Sequence, residues 1–456
     1  MNSPILNEEI ARRIFNNPDL ESVLLSLEDP EIIVDETDLL EKLVNTGRSK
    51  DEPLSRWVRY REGYSPTIVH RILEMFPISA DSEFILDPMC GSGSTQVAAQ
   101  QLNIPSVGSD VSPYAVLVSR VKTTPLLETE RQRILTFLNT LSEGKNGISV
   151  PKSELVNYLI HYFPPQNFRK LIQIKRQIEE LFPRDTRERD FLVVSLLAII
   201  EASSNRKKDG NGLASRPSQV TDVLGLFQEQ VNLMLTDIQA ATWLNVPSNS
   251  IVGSALKIDE TIADSSRFFQ KSLGAVIFSP PYANSFDYYE SYKLELLMGD
   301  FFTVESINEE RKKLIRSYRQ MGKSKKVTEL PTLEKLIDEI MKRLPAKEEA
   351  SGVRDGRSRL LPNMLRGYFQ DMKEFLERSS SAMPSGSYMA IIVDQSAYLG
   401  VLVPTDLLLA EIGMSCGFHF EKLVICRRAR TSGQQLNLQP ALGQVLRETA
   451  VILRRS

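Results

Sequence analysis

Two short segments of the chain combine residue types that can perform chemistry on a bound ligand. The first, DPMCGSGST at residues 87–95, follows a short apolar run and precedes a helix-prone stretch. The second, SPPY at residues 279–282, directly follows the apolar residues 275–278. The first has the glycines of a ligand-binding turn. The second offers a carbonyl, a hydroxyl and an aromatic ring with which to hold a planar substrate.

In the first segment, Gly91 and Gly93 let the backbone approach a ligand closely, where a Cβ atom would collide. Amides at the start of the following helix then face the bound group. A second apolar run ends in Asp110, and an acid at about this spacing accepts hydrogen bonds from ribose hydroxyls in doubly wound folds. A dinucleotide fold would have a glycine where Gln96 stands, so a dehydrogenase is disfavoured. The remaining interpretations are a ribose-containing ligand and a tight turn without a ligand.

In the second segment, Pro280 and Pro281 end the preceding strand because proline cannot donate to a sheet. They form a stiff corner at the carboxyl end of the strand, where such folds bind ligands. A stiff corner is suited to holding an amine in line with a methyl donor. The Pro280 carbonyl, the Ser279 hydroxyl and the Tyr282 ring could together hold a flipped-out base by its amino group. In isolation the segment would be an ordinary loop with a surface tyrosine, but the glycine turn upstream favours the catalytic interpretation.

Seven short apolar, β-branched runs indicate the strands that position these two segments. They lie at residues 84–87, 106–110, 250–255, 275–279, 388–394, 422–427 and 449–453. Several are apolar throughout, as expected for strands that are buried on both faces of a mainly parallel sheet. The last two flank a polar loop and could form an antiparallel hairpin at the sheet edge. The pattern therefore predicts an α/β fold with a doubly wound, mainly parallel, seven-stranded sheet.

Long helix-prone stretches interrupt the strand pattern and suggest how the chain is divided. Residues 1–52 carry thirteen acidic and five basic residues and are predicted to be a helical, peripheral segment. Residues 122–246 and the basic residues 300–375 are predicted to be helical insertions. The catalytic core is then predicted to comprise residues 53–121, 247–299 and 376–456.

The pair DPMCGSGS (residues 87–94) and SPPY (residues 279–282) resembles the amino-methyltransferase family of DNA methylases, which modify N4 of cytosine or N6 of adenine. In that family, serine at the first position of the tetrapeptide is typical of N4-cytosine enzymes, whereas aspartate or asparagine is commoner in adenine enzymes. Further similar stretches lie at residues 57–66, 284–295, 403–410 and 430–435. The similarity covers roughly residues 55–120 and 250–456.

The resemblance implies a Rossmann-like methyltransferase sheet with helical insertions, either of which is a candidate target-recognition region. It implies S-adenosyl-L-methionine as the cofactor and double-stranded DNA with a flipped target base as the partner. The implied catalytic residues are Ser279, Pro280, Pro281 and Tyr282. The implied cofactor-binding residues are Tyr64, Ser65, Asp87, Pro88, Cys90, Gly91, Gly93, Thr95, Asp110, Val111, Ala255 and Ser279. The sequence has no nuclease signature, so cleavage in a restriction or phage-defence system would require a separate partner.

Three alternatives remain beside this interpretation. Cytosine-C5 enzymes use a thiolate nucleophile, but Cys90 lies in the cofactor turn, where packing is the better explanation. RNA methyltransferases acting on a base amine share a similar glycine turn and PPY corner, although they usually begin the tetrapeptide with asparagine or aspartate. A silent DNA-binding subunit could keep the fold without activity, but the intact glycine turn, Asp110 and SPPY segment argue against it.

The distribution of charge bears on nucleic-acid binding more than the formal net charge of −3 does. Residues 311–326 contain eight basic residues and no acidic residue. Smaller basic groups lie at residues 206–208, 354–359 and 427–430. We expect residues 311–326 and 206–208 to line a phosphate-binding face, the alternative being solvated helix surfaces.

The content of cysteine, histidine and apolar residues argues against three other classes of protein: disulfide-rich proteins, metalloproteins and membrane proteins. Three cysteines cannot form a disulfide framework, which fits a reducing cytoplasm. None lies in a CxxC pair and only three histidines are present, so no metal site is expected. The longest apolar run, residues 191–200, is half of the ~20 residues that a membrane span requires. We therefore expect no membrane association.

Overall fold

The structure, a computed structural model, describes residues 4–41, 52–61, 63–142, 153–209, 212–283, 286–317 and 329–456. The strands in these ranges are β1 (Ile33–Asp35), β2 (Glu83–Asp87), β3 (Ser106–Asp110), β4 (Arg206–Asp209), β5 (Gly212–Ser215), β6 (Ser248–Val252), β7 (Ser272–Phe278), β8 (Tyr388–Asp394), β9 (Ser396–Tyr398), β10 (Val401–Val403), β11 (Phe418–Arg428) and β12 (Arg447–Arg455). Eight of them form one sheet in the order β1-β11-β12-β8-β7-β2-β3-β6, and β4–β5 and β9–β10 form two separate hairpins.

The main sheet is doubly wound and mainly parallel, as the sequence predicted. Only the two pairs that involve β12 are antiparallel, and β11 and β12 form the expected hairpin. The chain runs outward from β2 through β3 to β6, then returns to the other side of β2 and continues through β7 to β8. The point between β2 and β7 is therefore the topological switch point, where open α/β sheets bind ligands at the carboxyl ends of their strands.

Alternating side chains explain why the central strands are apolar throughout. Phe84 and Leu86 of β2 face one hydrophobic cluster together with Val276 of β7. Ile85 points to the opposite face and packs in a second cluster with Ile277. Because helices cover both faces, each of these side chains is removed from water, which stabilises the fold by about 1.5–3 kcal/mol per side chain.

The sheet has eight strands rather than seven because the N-terminal segment contributes β1. This strand pairs in parallel with β11, with Ile33 opposite Leu423. It is only three residues long and follows acidic residues, so no strand was predicted there. The segment is also less peripheral than predicted, since Ile14, Phe15 and Leu20 are fully buried in the main hydrophobic cluster.

Helices surround the sheet and form the two long interruptions. They are α1 (Glu8–Phe15), α2 (Pro18–Leu27), α3 (Thr37–Leu40), α4 (Pro66–Leu73), α5 (Ser94–Gln101), α6 (Pro113–Thr123), α7 (Glu128–Ser142), α8 (Glu154–Leu159), α9 (Pro165–Leu181), α10 (Arg187–Ala198), α11 (Ile200–Ser203), α12 (Val223–Ala240), α13 (Ile258–Phe269), α14 (Tyr288–Ser291), α15 (Lys293–Met298), α16 (Ser306–Glu310), α17 (Pro331–Lys342), α18 (Leu344–Ser351), α19 (Leu361–Ala382), α20 (Thr405–Ser415), α21 (Gly433–Leu438) and α22 (Leu442–Val445). Short 3₁₀ turns lie at Ser55–Trp57, Ile160–Tyr162, Ala255–Lys257, Arg311–Lys313 and Ser358–Leu360.

The first interruption, between α6 and β6, shares one hydrophobic cluster with α6 and α15. Helices α7 to α12 bury residues such as Phe168, Phe191 and Phe227 there. The β4–β5 hairpin in this region was not predicted, because its strands are short and largely polar. In the second interruption, α19 returns the chain to β8, and Phe375 packs on Phe278 with ring centroids 5.0 Å apart. Among the described helices, none is both long and apolar enough to cross a membrane.

Candidate active site

A cavity of about 860 Å³ lies at the switch point, between the loops that follow β2, β3, β6 and β7. The glycine turn and the Ser279–Tyr282 corner meet there because β2 and β7 are neighbouring parallel strands. Nine residues predicted for the site line this cavity: Tyr64, Pro88, Cys90, Gly91, Asp110, Val111, Ala255, Ser279 and Pro281.

Six other predicted site residues do not line the cavity. They are Ser65, Asp87, Gly93, Thr95, Pro280 and Tyr282. Ser65 caps helix α4, where its hydroxyl accepts a hydrogen bond from the Thr67 amide and donates to the Glu52 carboxylate.

Asp87 does not line the cavity, but it holds Tyr64, which does. Its Oδ2 atom accepts hydrogen bonds from the Tyr64 hydroxyl at 2.9 Å and the Thr95 hydroxyl at 2.7 Å, and its Oδ1 atom accepts from the Met89 amide at 3.0 Å. Burial raises the pKa of Asp87 to about 7, although these hydrogen bonds lower it. The network fixes the Tyr64 ring against β2 and the start of α5, so Asp87 and Thr95 orient a residue that faces the cavity.

Asp110 lies at the cavity and also holds the glycine turn. Its Oδ2 atom accepts a hydrogen bond from the Gly91 amide at 3.0 Å, and its Oδ1 atom accepts from the Ser112 amide at 2.8 Å. A carboxylate has about four acceptor positions, so two remain for ligand hydroxyls. Burial raises the pKa of Asp110 to about 6, while both amide hydrogen bonds lower it.

Packing within the protein requires glycine at both positions of the turn, independently of any ligand. Gly91 and Gly93 have φ angles of +48° and +86°, which residues with a Cβ rarely adopt. A Cβ on Gly91 would lie 2.8 Å from the Tyr60 ring. A Cβ on Gly93 would lie 2.9 Å from the Cα atom of Ser119 in α6. The turn is therefore packed tightly between the cavity and α6.

A Gly93→Ala variant is expected to unfold at a lower temperature than a Gly386→Ala variant. Gly386 has nearly the same φ angle, +85°, but a Cβ there would meet no atom within 4 Å. Because the φ angles are matched, the two variants carry similar backbone strain. The difference in stability between them therefore measures the collision with Ser119, which we expect to cost about 1–3 kcal/mol. Equal melting temperatures for the two variants would contradict the tight packing of the turn on α6.

Cys90 is a packing residue in this arrangement. Its side chain is 5% exposed, and its Cβ lies close to the backbone of Gly108 on β3. Burial raises the pKa of the Cys90 thiol well above its usual value, with further upward contributions from Asp110 and Asp87. A thiol with a raised pKa is a poor nucleophile at neutral pH, which argues against a cytosine-C5 type of mechanism.

Tyr282 is held behind the catalytic corner instead of exposing its ring at the surface. It is 4% exposed and packs in the main hydrophobic cluster. Its hydroxyl donates a hydrogen bond to Glu448 at 2.7 Å and lies 3.4 Å from the Ser279 hydroxyl. Glu448, from β12, also accepts a hydrogen bond from Arg427 of β11. In this conformation Tyr282 fixes the corner, and its ring does not form the cavity wall.

Aromatic rings from α14 and from the segment before α4 form much of the cavity wall. Tyr288, Tyr289 and Tyr292 line it together with Tyr60. Tyr60 stacks on Tyr292 with ring centroids 4.9 Å apart, and the Tyr289 hydroxyl donates to the Val111 carbonyl at 3.0 Å. These rings were not predicted as site residues, although they lie in the stretches that resemble the methylase family. Their close spacing after SPPY was the available signal.

The basic groups are arranged differently from the predicted phosphate-binding face. The four described basic residues of the 311–326 group all form ion pairs: Arg311 with Asp287, Lys312 with Glu309, Lys313 with Glu310 and Arg316 with Asp371. Arg319, Lys323, Lys325 and Lys326 lie outside the described residues.

Lys208 is likewise not available at the surface. Its ammonium is buried and forms ion pairs with Glu295 and, at 3.5 Å, with Glu201. The prediction that the whole 206–208 group contacts phosphate is therefore wrong for Lys208. Within the described ranges, no group of histidine, cysteine and acidic side chains could hold a metal ion.

Sequence comparisons identify relatives over most of the chain. It is 23% identical over 430 residues to the type II methyltransferase M.AvaI of Nostoc sp. strain PCC 7120, a match that covers 87% of this chain and 86% of the relative. It is 25% identical over 446 residues to the type II methyltransferase M.BsoBI of Geobacillus stearothermophilus, with 89% and 86% covered. No family model matches the sequence.

Among solved structures, the rRNA methyltransferase aviRa of Streptomyces viridochromogenes superposes with a TM-score of 0.30 and 9% identity, covering 86% of this chain and 83% of the other. TrmN of Thermus thermophilus gives a TM-score of 0.26 and 9% identity over 86% of this chain and 49% of its own. The long sequence matches to M.AvaI and M.BsoBI support a DNA methyltransferase family assignment for this chain.

Proposed function

We propose that this chain transfers a methyl group from S-adenosyl-L-methionine to an exocyclic amine of a base in double-stranded DNA, with N4 of cytosine as the favoured target. One observation carries the proposal: the glycine turn lines the same cavity as Ser279 and Pro281 of the corner, at the switch point of the sheet. The type II designation of both relatives supports methylation of a specific DNA sequence and a separate restriction nuclease as partner.

The residues around the cavity fit this cofactor. Asp110 keeps two acceptor positions for ribose hydroxyls, and the Gly91–Gly93 turn leads into the amide groups at the start of α5. The rings of Tyr60 and Tyr64 offer π faces, which attract a positively charged group. When bound, the cofactor supplies an electrophilic methyl group.

The corner after β7 would orient the amine. The Ser279 hydroxyl and the Pro280 carbonyl accept hydrogen bonds from the two amine hydrogens, and the nitrogen lone pair is then directed at the methyl group. Holding the reactants in line and excluding water is the main contribution required, because direct transfer needs no covalent enzyme intermediate. One N–C bond would form as the bond between the sulfur and the methyl carbon breaks; the electron pair of that bond would stay on the sulfur, and the amine nitrogen would release one proton to water.

The aromatic ring that stacks on the flipped base could come from either of two places in the site. Tyr282, the residue suggested by the motif, would have to leave its buried position behind the corner. Tyr288 and Tyr289 already line the cavity. In both arrangements the base is gripped by its amino group at Ser279 and Pro280 and by a ring at its face.

The decisive test is mass spectrometry of nucleosides from DNA that has been incubated with the chain and isotope-labelled cofactor. N4-methylcytosine is expected. N6-methyladenine would keep the reaction class and reject the choice of base, and label found only in RNA would reject the proposal. A Pro280→Ala variant is expected to slow transfer more than it weakens DNA binding, because the proline supplies geometry.

The affinity for S-adenosyl-L-methionine is expected to increase as the pH rises through about 6, since ribose hydroxyls donate to the ionised form of Asp110. An Asp110→Asn variant should bind about 1–3 kcal/mol more weakly, with little change between pH 5 and pH 8. Isothermal titration calorimetry measures both effects. Equal affinity of the variant and the wild type above pH 7 would remove the ribose assignment.

The raised pKa of Asp110 also affects the stability of the cofactor-free fold. This contribution to stability falls as the pH rises, whereas the affinity for the cofactor increases. Because burial raises the pKa of Asp110 to about 6, the folded chain keeps a proton that an unfolded aspartate loses at about pH 4. The unfolded state therefore binds fewer protons, and this contribution to stability falls as the pH rises from about 4 to about 6.

A further inference from the structure

A basic groove of about 930 Å³ lies between α11 and the chain that follows β5. Four of its lining residues are cations: Arg59, Arg206, Lys207 and Arg216. The single acid in its lining is Glu201. The groove therefore carries an excess of positive charge in a protein whose formal net charge is negative.

Three of these cations are not compensated. Arg206, Lys207 and Arg216 form no ion pair with any residue in the described ranges. Glu201 is occupied by Arg59 at 3.7 Å and by the buried Lys208 at 3.5 Å. This distinguishes the groove from the described part of residues 311–326, where every cation has an acidic partner.

The groove is held in shape by hydrogen bonds. The Ser218 hydroxyl donates to the Ala202 carbonyl at 2.7 Å, and the Ser204 hydroxyl donates to the Glu201 carbonyl at 2.9 Å. The Arg206 guanidinium lies over the Tyr162 ring, 5.1 Å from its centre. A fixed guanidinium loses less conformational entropy when it binds an anion than a freely rotating one does.

The groove and the cavity share a wall. Arg59 lines the groove, and the next residue, Tyr60, lines the cavity. Glu201 on the groove side pairs with Lys208, whose ammonium lies 4.5 Å from the centre of the Tyr292 ring on the cavity side. A ligand that spans both sites would thus have an anionic portion in the groove and a reacting portion in the cavity.

We propose that the groove holds the phosphodiester backbone of duplex DNA beside the nucleotide that enters the cavity; this inference rests on the proposed function. Guanidinium and ammonium groups bind phosphate oxygens through charge-assisted hydrogen bonds. Such contacts fix the register of a protein on the duplex without reading its sequence. The groove thereby positions the strand, and specificity for the target comes from other contacts.

The test compares a Lys207→Gln/Arg216→Gln variant with the wild type in binding a duplex of arbitrary sequence at several salt concentrations. Each phosphate contact contributes about 0.9 to the slope of log K against log salt, so losing two contacts should lower the slope by about 1.8. Affinity at 0.1 M salt should fall at least tenfold. An Arg12→Gln/Arg267→Gln variant is the matched control, because it removes two exposed cations that lie outside the groove and the cavity.

An unchanged slope in the groove variant, while the wild type methylates DNA, would overturn the groove proposal and leave the proposed function intact. A slope that changes equally in the control variant would also overturn it. If the wild type binds duplex DNA through the groove but transfers label to no DNA, the proposed function fails separately. Groove-dependent binding of RNA without binding of duplex DNA would reject DNA as the partner. Unchanged cofactor affinity in the variants serves as the check on folding.

Discussion

An Arg447→Met variant is expected to lose about 3–5 kcal/mol of unfolding free energy. The Arg447 side chain is 1% exposed and forms ion pairs with Glu28 and Asp406, which are equally buried. Removing the guanidinium leaves two carboxylates without a counter-charge in the interior, and breaking a buried pair in this way is strongly destabilising. Urea denaturation followed by circular dichroism measures the loss.

The matched control is Arg454→Met on the same strand. Arg454 is 44% exposed and pairs with the partly exposed Glu421, so its removal should cost much less stability than removal of Arg447. Replacing Glu28, Asp406 and Arg447 together with apolar residues should recover much of the lost stability, because no unpaired charge is then left. Similar losses for the Arg447 and Arg454 variants would show that the buried network does not stabilise the fold.

A Glu448→Gln variant is expected to lower the rate of methyl transfer by about 10- to 100-fold while cofactor affinity stays nearly unchanged. Glu448 accepts hydrogen bonds from Tyr282 and Arg427 and thereby holds Tyr282 next to Ser279. A displacement of about 1 Å at a site that works by alignment can cost a factor of this size. Single-turnover rates and calorimetric cofactor affinities separate the two effects.

A double-mutant cycle shows whether Glu448 acts through Tyr282. If it does, the Tyr282→Phe and Glu448→Gln effects on the transfer rate will not add, because both changes act on the contact between the same two side chains. A Glu421→Gln variant, which changes a partly exposed acid on the neighbouring strand β11, provides the control. Additive effects in the cycle would mean that Glu448 acts on the rate by another route, and Tyr282 would not be the residue that it positions.

The central strands and the glycine turn were predictable because their signals are local. Residues 84–86 and 275–278 are apolar in unbroken runs, which is typical of strands buried on both faces. A glycine turn between a strand and a helix is likewise a local pattern. Placement of the two motifs at one cavity followed from the parallel order of β2 and β7, which the alternation of strands and helices indicates.

The features that were missed depend on residues far apart in the chain. The burial of Lys208 is determined by Glu295, and that of Tyr282 by Glu448, so neither environment can be inferred from flanking sequence. Ion pairs between residues 311–316 and distant acids such as Asp371 are invisible in a count of charges along the chain. The strand β1 could not be predicted from its own residues either, because three residues form a strand only when the edge of a partner strand is present.

Pairing between β1 and β11 has a consequence for the order of events during synthesis. Ile33 leaves the ribosome long before Leu423, its partner in the sheet. At about 5–20 residues per second, the interval is roughly 20–80 s. During this time Ile14, Phe15 and Leu20 have no completed core to enter. The N-terminal segment can therefore complete its docking on the sheet only after β11 has been made.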